Sequence, residues 1–230
     1  MLSVDQIRKY PLFEGLNEDE LARLAKVITK RSFASGVYLF LPGRPGLYAY
    51  LVESGLVRMF FSSTNGEEVL FNLTGPLNTL MLPTPLDDQF VLFGASTVEP
   101  TVLLSFGRED FFQLFDSSPQ FARNVYLTTV VITRKLLLHT RTLTTLNLTG
   151  RLATMLLRLA RKDENFENAI QLPISQEELA GWIGASRGRL NHAMKLLEQL
   201  GLICVEGRKI IILDHPGLMR MSEEQTLEKV

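Results

Sequence analysis

After Pro119 neither glycine nor proline occurs until Gly150, so the stretch contains no helix breaker and reads as one long helix. Within it Val125, Thr129, Ile132, Leu136, His139, Leu143 and Leu146 follow one another at alternating steps of four and three, the repeat of a coiled-coil seam. A helix of ~30 residues is ~45 Å long, farther than a small domain covers. The seam is therefore expected to meet the same seam of a second copy, giving a homodimer. Ser117 and Ser118 before Pro119 supply the helix start, a cap followed by proline in the first turn. Such a stalk splits the chain into two flanks, and their textures differ.

Upstream, Leu16 to Lys30 reads as a short helix with Asn17 as N-cap and Glu20 as its capping-box partner. Leu21, Leu24, Ala25 and Ile28 then fall on one face. From Phe33 to Phe106 the pattern changes to short β-rich runs: Val37 to Leu41, Tyr48 to Val52, Leu56 to Phe61 and Val69 to Phe71. Glycines at 36, 43, 46, 55 and 66 punctuate them, and Asn65-Gly66 is a hairpin turn. Many short strands at near-regular spacing predict a small barrel or jelly roll.

Downstream, an amphipathic helix is expected from Arg151 to Arg161, followed by a polar loop, Asp163 to Asn168. Ser175-Gln176-Glu177-Glu178 is a capping box that opens a short helix with Leu179, Ala180 and Ile183 inside. Gly184-Ala185 forms a tight turn, Ser186 caps a second helix, and Leu190, Ala193, Met194 and Leu197 face inward until Gly201 ends it. Helix, glycine turn and helix form the motif that lays its second helix in the major groove of DNA. Leu202 to Val205, a turn at Glu206-Gly207, and Ile210 to Ile212 add a hairpin, the wing. Outward on the second helix stand Arg187, Gly188, Asn191, His192 and Lys195. Arginine can bond a guanine through two donors and asparagine an adenine, which makes Arg187 and Asn191 candidate base readers. His192 and Lys195 suit a base edge or a phosphate, Arg189 suits a flanking phosphate, and Arg208 and Lys209 in the wing suit the DNA backbone. An amphipathic hairpin used for protein contact is the competing reading. Trp182 reads as a packing residue, and Cys204, in an apolar strand, as a buried thiol.

The net charge of −1 gives no global hint of nucleic-acid binding; the distribution does. No acidic residue lies between Asp116 and Asp163, where Arg123, Arg134, Lys135, Arg141, Arg151, Arg158, Arg161 and Lys162 all fall. Between Glu178 and Glu198 the charges are Arg187, Arg189 and Lys195. Basic surface without acid is what phosphate contact requires. The three histidines, at 139, 192 and 215, are scattered, and neither a phosphate loop, a zinc spacing nor a nucleophile elbow is present, which argues against an enzyme. A single cysteine excludes a disulfide within the chain and a thiolate cluster. The N-terminus lacks a basic segment followed by an apolar run, and no apolar stretch approaches the ~20 residues of a membrane span, so the expected location is the cytoplasm.

These residues resemble the cyclic-AMP receptor/FNR family of regulators along nearly the whole chain. The likeness is strongest from Leu146-Asn147-Leu148-Thr149-Gly150-Arg151 through Ile183-Gly184-Ala185-Ser186-Arg187 to Leu196-Leu197-Glu198. Upstream it runs from Gly36 to Pro42-Gly43 and from Leu51 to Arg58. The resemblance implies an α+β fold: a cyclic-nucleotide-binding-like β-barrel (a double-stranded β-helix or jelly roll) over residues 1–118, a dimerisation helix and hinge over 119–149, and a winged helix-turn-helix over 150–230. It further implies double-stranded DNA with a palindromic operator as partner, a small-molecule effector in the barrel, a hinge at Asn147 to Gly150, and contact with RNA polymerase near Asp163 to Asn168. Ligand binding would shift the helix pair and set the reading heads for adjacent major grooves ~34 Å apart.

Two departures matter. The family's nucleotide-binding barrels hold ribose and phosphate with Gly-Glu and Arg-Ser or Arg-Thr pairs, whereas Thr79-Leu80 and Val91-Leu92 stand there, and no Lys or Arg occurs between Arg58 and Arg108. A phosphate buried without a cation is costly, which argues against cyclic AMP. The N-terminal cysteines of the iron–sulfur members are also absent. Leu77, Leu80, Met81, Leu82, Leu86, Phe90, Leu92 and Phe93 are expected to line an apolar effector pocket. Heme is the rival cofactor, with Met59, Met81 and His139 as candidate axial ligands; an adaptor that does not bind DNA remains the other alternative. In the reading helix Gly188 and His192 replace the family's common Glu and Arg, so a different operator preference is expected.

Overall fold

The computed structural model describes residues 2–81, 90–160 and 169–222. Two compact units divide inside the long helix, Met1–Arg134 and Lys135–Val230.

In the N-terminal unit, Ser3 caps α1 (Val4–Arg8), a 3-10 turn follows at Pro11–Phe13, and Asn17 caps α2 (Glu18–Val27). The Asn17 side chain accepts from the Glu20 amide at 2.9 Å while the Glu20 carboxylate accepts from the Asn17 amide at 2.8 Å, the predicted reciprocal cap. The helix is shorter than its apolar pattern suggests. Ile28 is already the extended C-cap, and Thr29–Phe33 is β1, paired with a distant strand.

The strands that follow are β2 (Tyr38–Phe40), β3 (Tyr48–Ser54), β4 (Val57–Ser62), β5 (Glu68–Thr74), β6 (Thr79–Met81), β7 (Gly94–Thr97) and β8 (Thr101–Gly107). They form two antiparallel four-stranded sheets, ordered β1-β8-β3-β6 and β2-β7-β4-β5. Asn65-Gly66 lies in the β4–β5 hairpin, as predicted. Strand alternation divides the apolar residues. Val52 and Leu103 from one sheet meet Val57, Met59 and Ala95 from the other, filling the interior of the barrel. Their neighbours Ala49, Leu51, Leu104 and Phe106 face the opposite way, against Leu21, Leu24, Phe13 and Phe111. Phe111 belongs to α3 (Arg108–Ser117), a helix for which the sequence alone gives no expectation. The long helix α4 (Pro119–Thr145) starts where predicted, with the Ser118 hydroxyl accepting from the Phe121 amide at 3.3 Å.

In the C-terminal unit α5 spans Leu148–Leu159, not a segment beginning after Gly150: Asn147 caps it, its side chain accepting from the Gly150 amide at 2.9 Å. Glycine belongs in that first turn because a Cβ on Gly150 would lie 2.9 Å from the Met221 carbonyl oxygen of the last helix, α8 (His215–Ser222). Between them come β9 (Ala169–Gln171), α6 (Gln176–Trp182), α7 (Arg187–Gln199), β10 (Ile203–Glu206) and β11 (Lys209–Ile212). The predicted wing is the β10–β11 hairpin, and β9 extends it to three strands in the order β10-β11-β9. Among the described residues no helix is long and apolar enough to cross a membrane.

Candidate nucleic-acid interface

Local chemistry builds the reading head as the sequence implies. The Ser175 hydroxyl accepts from the Glu178 amide at 3.1 Å, and the Glu178 carboxylate accepts from the Ser175 amide at 2.9 Å, closing the box at the start of α6. At the turn Gly184 has φ +66°, a conformation only glycine adopts without strain, and the Ala185 amide donates to the Ala180 carbonyl at 2.9 Å. The Ser186 hydroxyl accepts from the Arg189 amide at 3.5 Å, a long bond at the start of α7.

Leu190, Ala193, Met194 and Leu197 are buried on the inner face of α7. Ser186, Arg187, Gly188, Arg189, Asn191, His192 and Lys195 are all exposed. Arg187 and Asn191 are four residues apart and so lie on one face, with Lys195 a further turn along. The carboxylate closing this basic window is turned to structure: Glu198 accepts from the Val205 amide at 3.0 Å, tying α7 to the wing. In the wing Arg208 is exposed and donates to the Leu172 carbonyl at 3.4 Å, while half-buried Lys209 stands in register with Gln171. A cleft of about 450 Å³ beside α7 is lined by Asn147, Leu148, Thr149, Gly188, Arg189, His192, Ala193 and Leu196. The sequence reading assigned 147–149 to a hinge and missed its place next to the reading helix. The Asn147 capping signal, had it been read as a helix start, pointed there.

Trp182 packs inward as expected. Cys204 does not: it is half-exposed, because β10 alternates and its fully buried residue is Ile203.

Of the predicted effector wall, the described residues do not share one face. Leu80 is buried in the barrel core, but Phe90 and Leu92 are 62% and 81% exposed, with Val91 between them buried, and Leu77 is exposed at φ +64°. Extended chain alternates faces, and the proposed set took the outward residues on either side of Val91. Half-buried Phe93 packs inward, its ring 5.7 Å from Phe40 and 5.5 Å from Phe71. Leu82 and Leu86, the Met81 side chain, and the loop Asp163 to Asn168 lie outside the described residues. Of the side chains considered for heme, Met59 has its sulfur engaged by Asn72 Nδ2 at 3.4 Å and Thr74 Oγ1 at 3.3 Å. His139 is half-buried, its Nδ1 shielded without a hydrogen-bond partner, and burial lowers its pKa, with the Arg158 charge acting in the same direction.

The predicted seam is divided by the structure. Val125 is 2% exposed within the N-terminal unit's own core and is not available to a second copy. Thr129 and Ile132 are half-buried, Leu136 is exposed, and His139, Leu143 and Leu146 are half-buried. The exposed large apolar residues of α4 are Tyr126, Leu127, Val130, Val131, Leu136 and Leu137. The helix carries two apolar stripes, and spacing alone does not say which one the chain itself covers.

A two-sheet N-terminal barrel, a long helix and a winged helix-turn-helix with a cationic outer face on α7 define the fold of a helix-turn-helix DNA-binding regulator. Comparison with known proteins agrees: the cyclic nucleotide-binding domain matches residues 30–118 and the Crp-like helix-turn-helix domain residues 150–221. A Cyclic AMP receptor protein of Thermus thermophilus is 29% identical over 220 residues, 96% of this chain and 96% of its own. A CRP-like cAMP-activated global transcriptional regulator of Mycobacterium tuberculosis is 27% identical over 215 residues, 91% of this chain and 95% of its own. The structure of FixK2 from Bradyrhizobium japonicum shares the fold, with TM-score 0.74 at 20% identity over 85% of this chain and 97% of that one. The chain thus carries a cyclic nucleotide-binding domain and a Crp-like helix-turn-helix domain, and its homologues are CRP/FNR family transcriptional regulators.

Proposed function

We propose that the chain acts as a homodimer that reads a palindromic duplex with paired α7 helices, under the control of an effector other than a cyclic nucleotide. The face of α7 carries the reading: its inner side is apolar and buried, its outer side presents Arg187, Asn191, His192 and Lys195, and no carboxylate lies between Glu178 and Glu198. In this reading Arg187 meets a guanine and Asn191 an adenine. Ser186, Arg189, His192, Lys195, Arg208 and Lys209 meet phosphates, adding affinity without sequence information. Gly188 leaves room for close approach, since nothing stands within 4 Å of a Cβ placed on it. Two copies pair along the exposed stripe of α4, and RNA polymerase is the partner of the bound dimer.

The effector follows from charge. Residues 59–107 contain no Lys or Arg, and Arg58 is engaged 2.6 Å from the Glu68 carboxylate. A cyclic phosphate in this barrel lacks the cation that offsets its desolvation. Calorimetric titration with cyclic AMP is expected to give no saturable heat; stoichiometric binding would overturn this part of the proposal.

DNA reading is tested by selecting duplexes from a randomised library with the purified full chain and titrating the product by fluorescence anisotropy. A palindrome bound at least ~10³-fold more tightly than random duplex at equal salt is expected. Equal affinity for all sequences would contradict the proposal and favour an adaptor.

A further inference from the structure

We infer that Arg151 is a positioning residue that locks the helix-turn-helix to the end of the long helix and thereby sets the separation of the two reading helices; this rests on the dimeric DNA-reading proposal above. The part-buried guanidinium, in the first turn of α5, donates from Nε to the Leu146 carbonyl at 3.0 Å and from Nη1 to the Ile183 carbonyl at 3.3 Å. Leu146 directly follows α4, and Ile183 is the C-cap of α6. Both acceptors therefore sit at helix C-termini, where the last carbonyls lack partners within the helix and the dipole gathers partial negative charge. One cation answers both ends and joins them.

The turn lies beside this joint. A Cβ on Gly184 would stand at van der Waals distance from both, 3.5 Å from Arg151 Nη1 and 3.6 Å from the Leu143 side chain, so the turn that launches α7 neighbours the end of α4 and this guanidinium. Arginine suits the task because its planar fork holds donors aimed in different directions, whereas a lysine ammonium is a single point charge on a flexible stem. A rotation of the α4 end then carries the turn, and α7 with it, as one body. Arg151 lies in the acid-free window between Asp116 and Asp163, where the sequence alone gives it the appearance of one more phosphate contact.

The test uses full-length protein and duplexes bearing the selected half-sites at the selected separation, or at separations altered by a base pair or two in either direction. Arg151→Met keeps the stem and removes the donors; Arg151→Lys keeps the charge and loses the fork. Wild type is expected to prefer the selected separation. Arg151→Met is expected to lose about ten-fold of that preference, the scale of one charge-assisted hydrogen bond, with dimerisation unchanged and the thermal midpoint nearly so, and Arg151→Lys is expected to fall between. Full retention of the preference by Arg151→Met, an equal loss of affinity at every separation, or failure of both variants to fold would each overturn the inference. A wild-type protein without any preference for separation would instead remove the dimeric reading on which it rests.

Discussion

Arg187 and Asn191 share the exposed face of α7; the proposed reading gives them base contacts and gives Arg208 in the wing a phosphate contact, and substitution separates the two roles. Arg187→Ala or Asn191→Ala is expected to cost ~1–3 kcal/mol on the selected duplex and to relax preference at one position of each half-site. Arg208→Ala is expected to weaken all duplexes evenly and to reduce the salt slope by about one, since it removes a phosphate contact. Anisotropy titrations at several salt concentrations distinguish the two patterns. His139 makes a pH prediction. Its folded-state pKa lies below the ordinary 6.5 because burial and Arg158 disfavour the imidazolium. The unfolded chain therefore takes up the proton first, and the stability this group contributes above pH 6.5 is lost as pH falls through the lowered value. Thermal midpoints measured from neutral into acid pH should fall, and His139→Gln should flatten that fall; an identical slope in the variant would contradict the assignment. Residue identities on α7 were legible in the sequence because burial of Leu190, Ala193, Met194 and Leu197 leaves the remaining positions no face but the outer one. Cys204 was misread because an apolar run does not reveal which residues of a strand point inward.

At the scale of elements, what was legible is what is decided locally. The capping boxes at Asn17 and Ser175, the helix start at Ser118, and the hairpin at Gly66 each depend on residues a few positions apart, and each appears where the sequence placed it. The errors are those of long-range partnership. Strand β9 exists through its pairing with β11 some forty positions away, and Ile28 ends α2 because β1 pairs with β8. Phe90 and Leu92 are exposed because the chain alternates faces around buried Val91, a register that local sequence does not fix. Val125 left the seam because the N-terminal core claimed it. The joint between α4 and α5 offers an element-scale prediction. Asn147→Ala removes the cap of α5 and should destabilise the C-terminal unit by ~1 kcal/mol. Gly150→Ala should cost more than its gain in helix propensity, because its Cβ would approach the Met221 carbonyl at 2.9 Å. Chemical denaturation followed through Trp182, the single tryptophan, which lies within this unit, reports both.

For the molecule as a whole, the near-neutral net charge of −1 hides a segregated one: carboxylates cluster elsewhere while the stretch between Glu178 and Glu198 and the long helix keep cations without acid. Such an arrangement lets a regulator approach DNA through one surface and avoid general adhesion to polyanions. It also explains why the bulk numbers were silent about function while the local windows were not. The exposed stripe of Tyr126, Leu127, Val130, Val131, Leu136 and Leu137 leaves α4 with apolar surface that a second copy would cover. Replacing Leu127 and Val131 with Asp should shift the protein from dimer to monomer and abolish palindrome preference together; loss of one without the other would break the link between stalk and reading. The most direct measurement is sedimentation velocity of the full chain mixed with its selected duplex. Two chains on each duplex, with no populated single-chain complex at working concentration, is the predicted result, and a one-to-one complex or free duplex throughout would contradict the account.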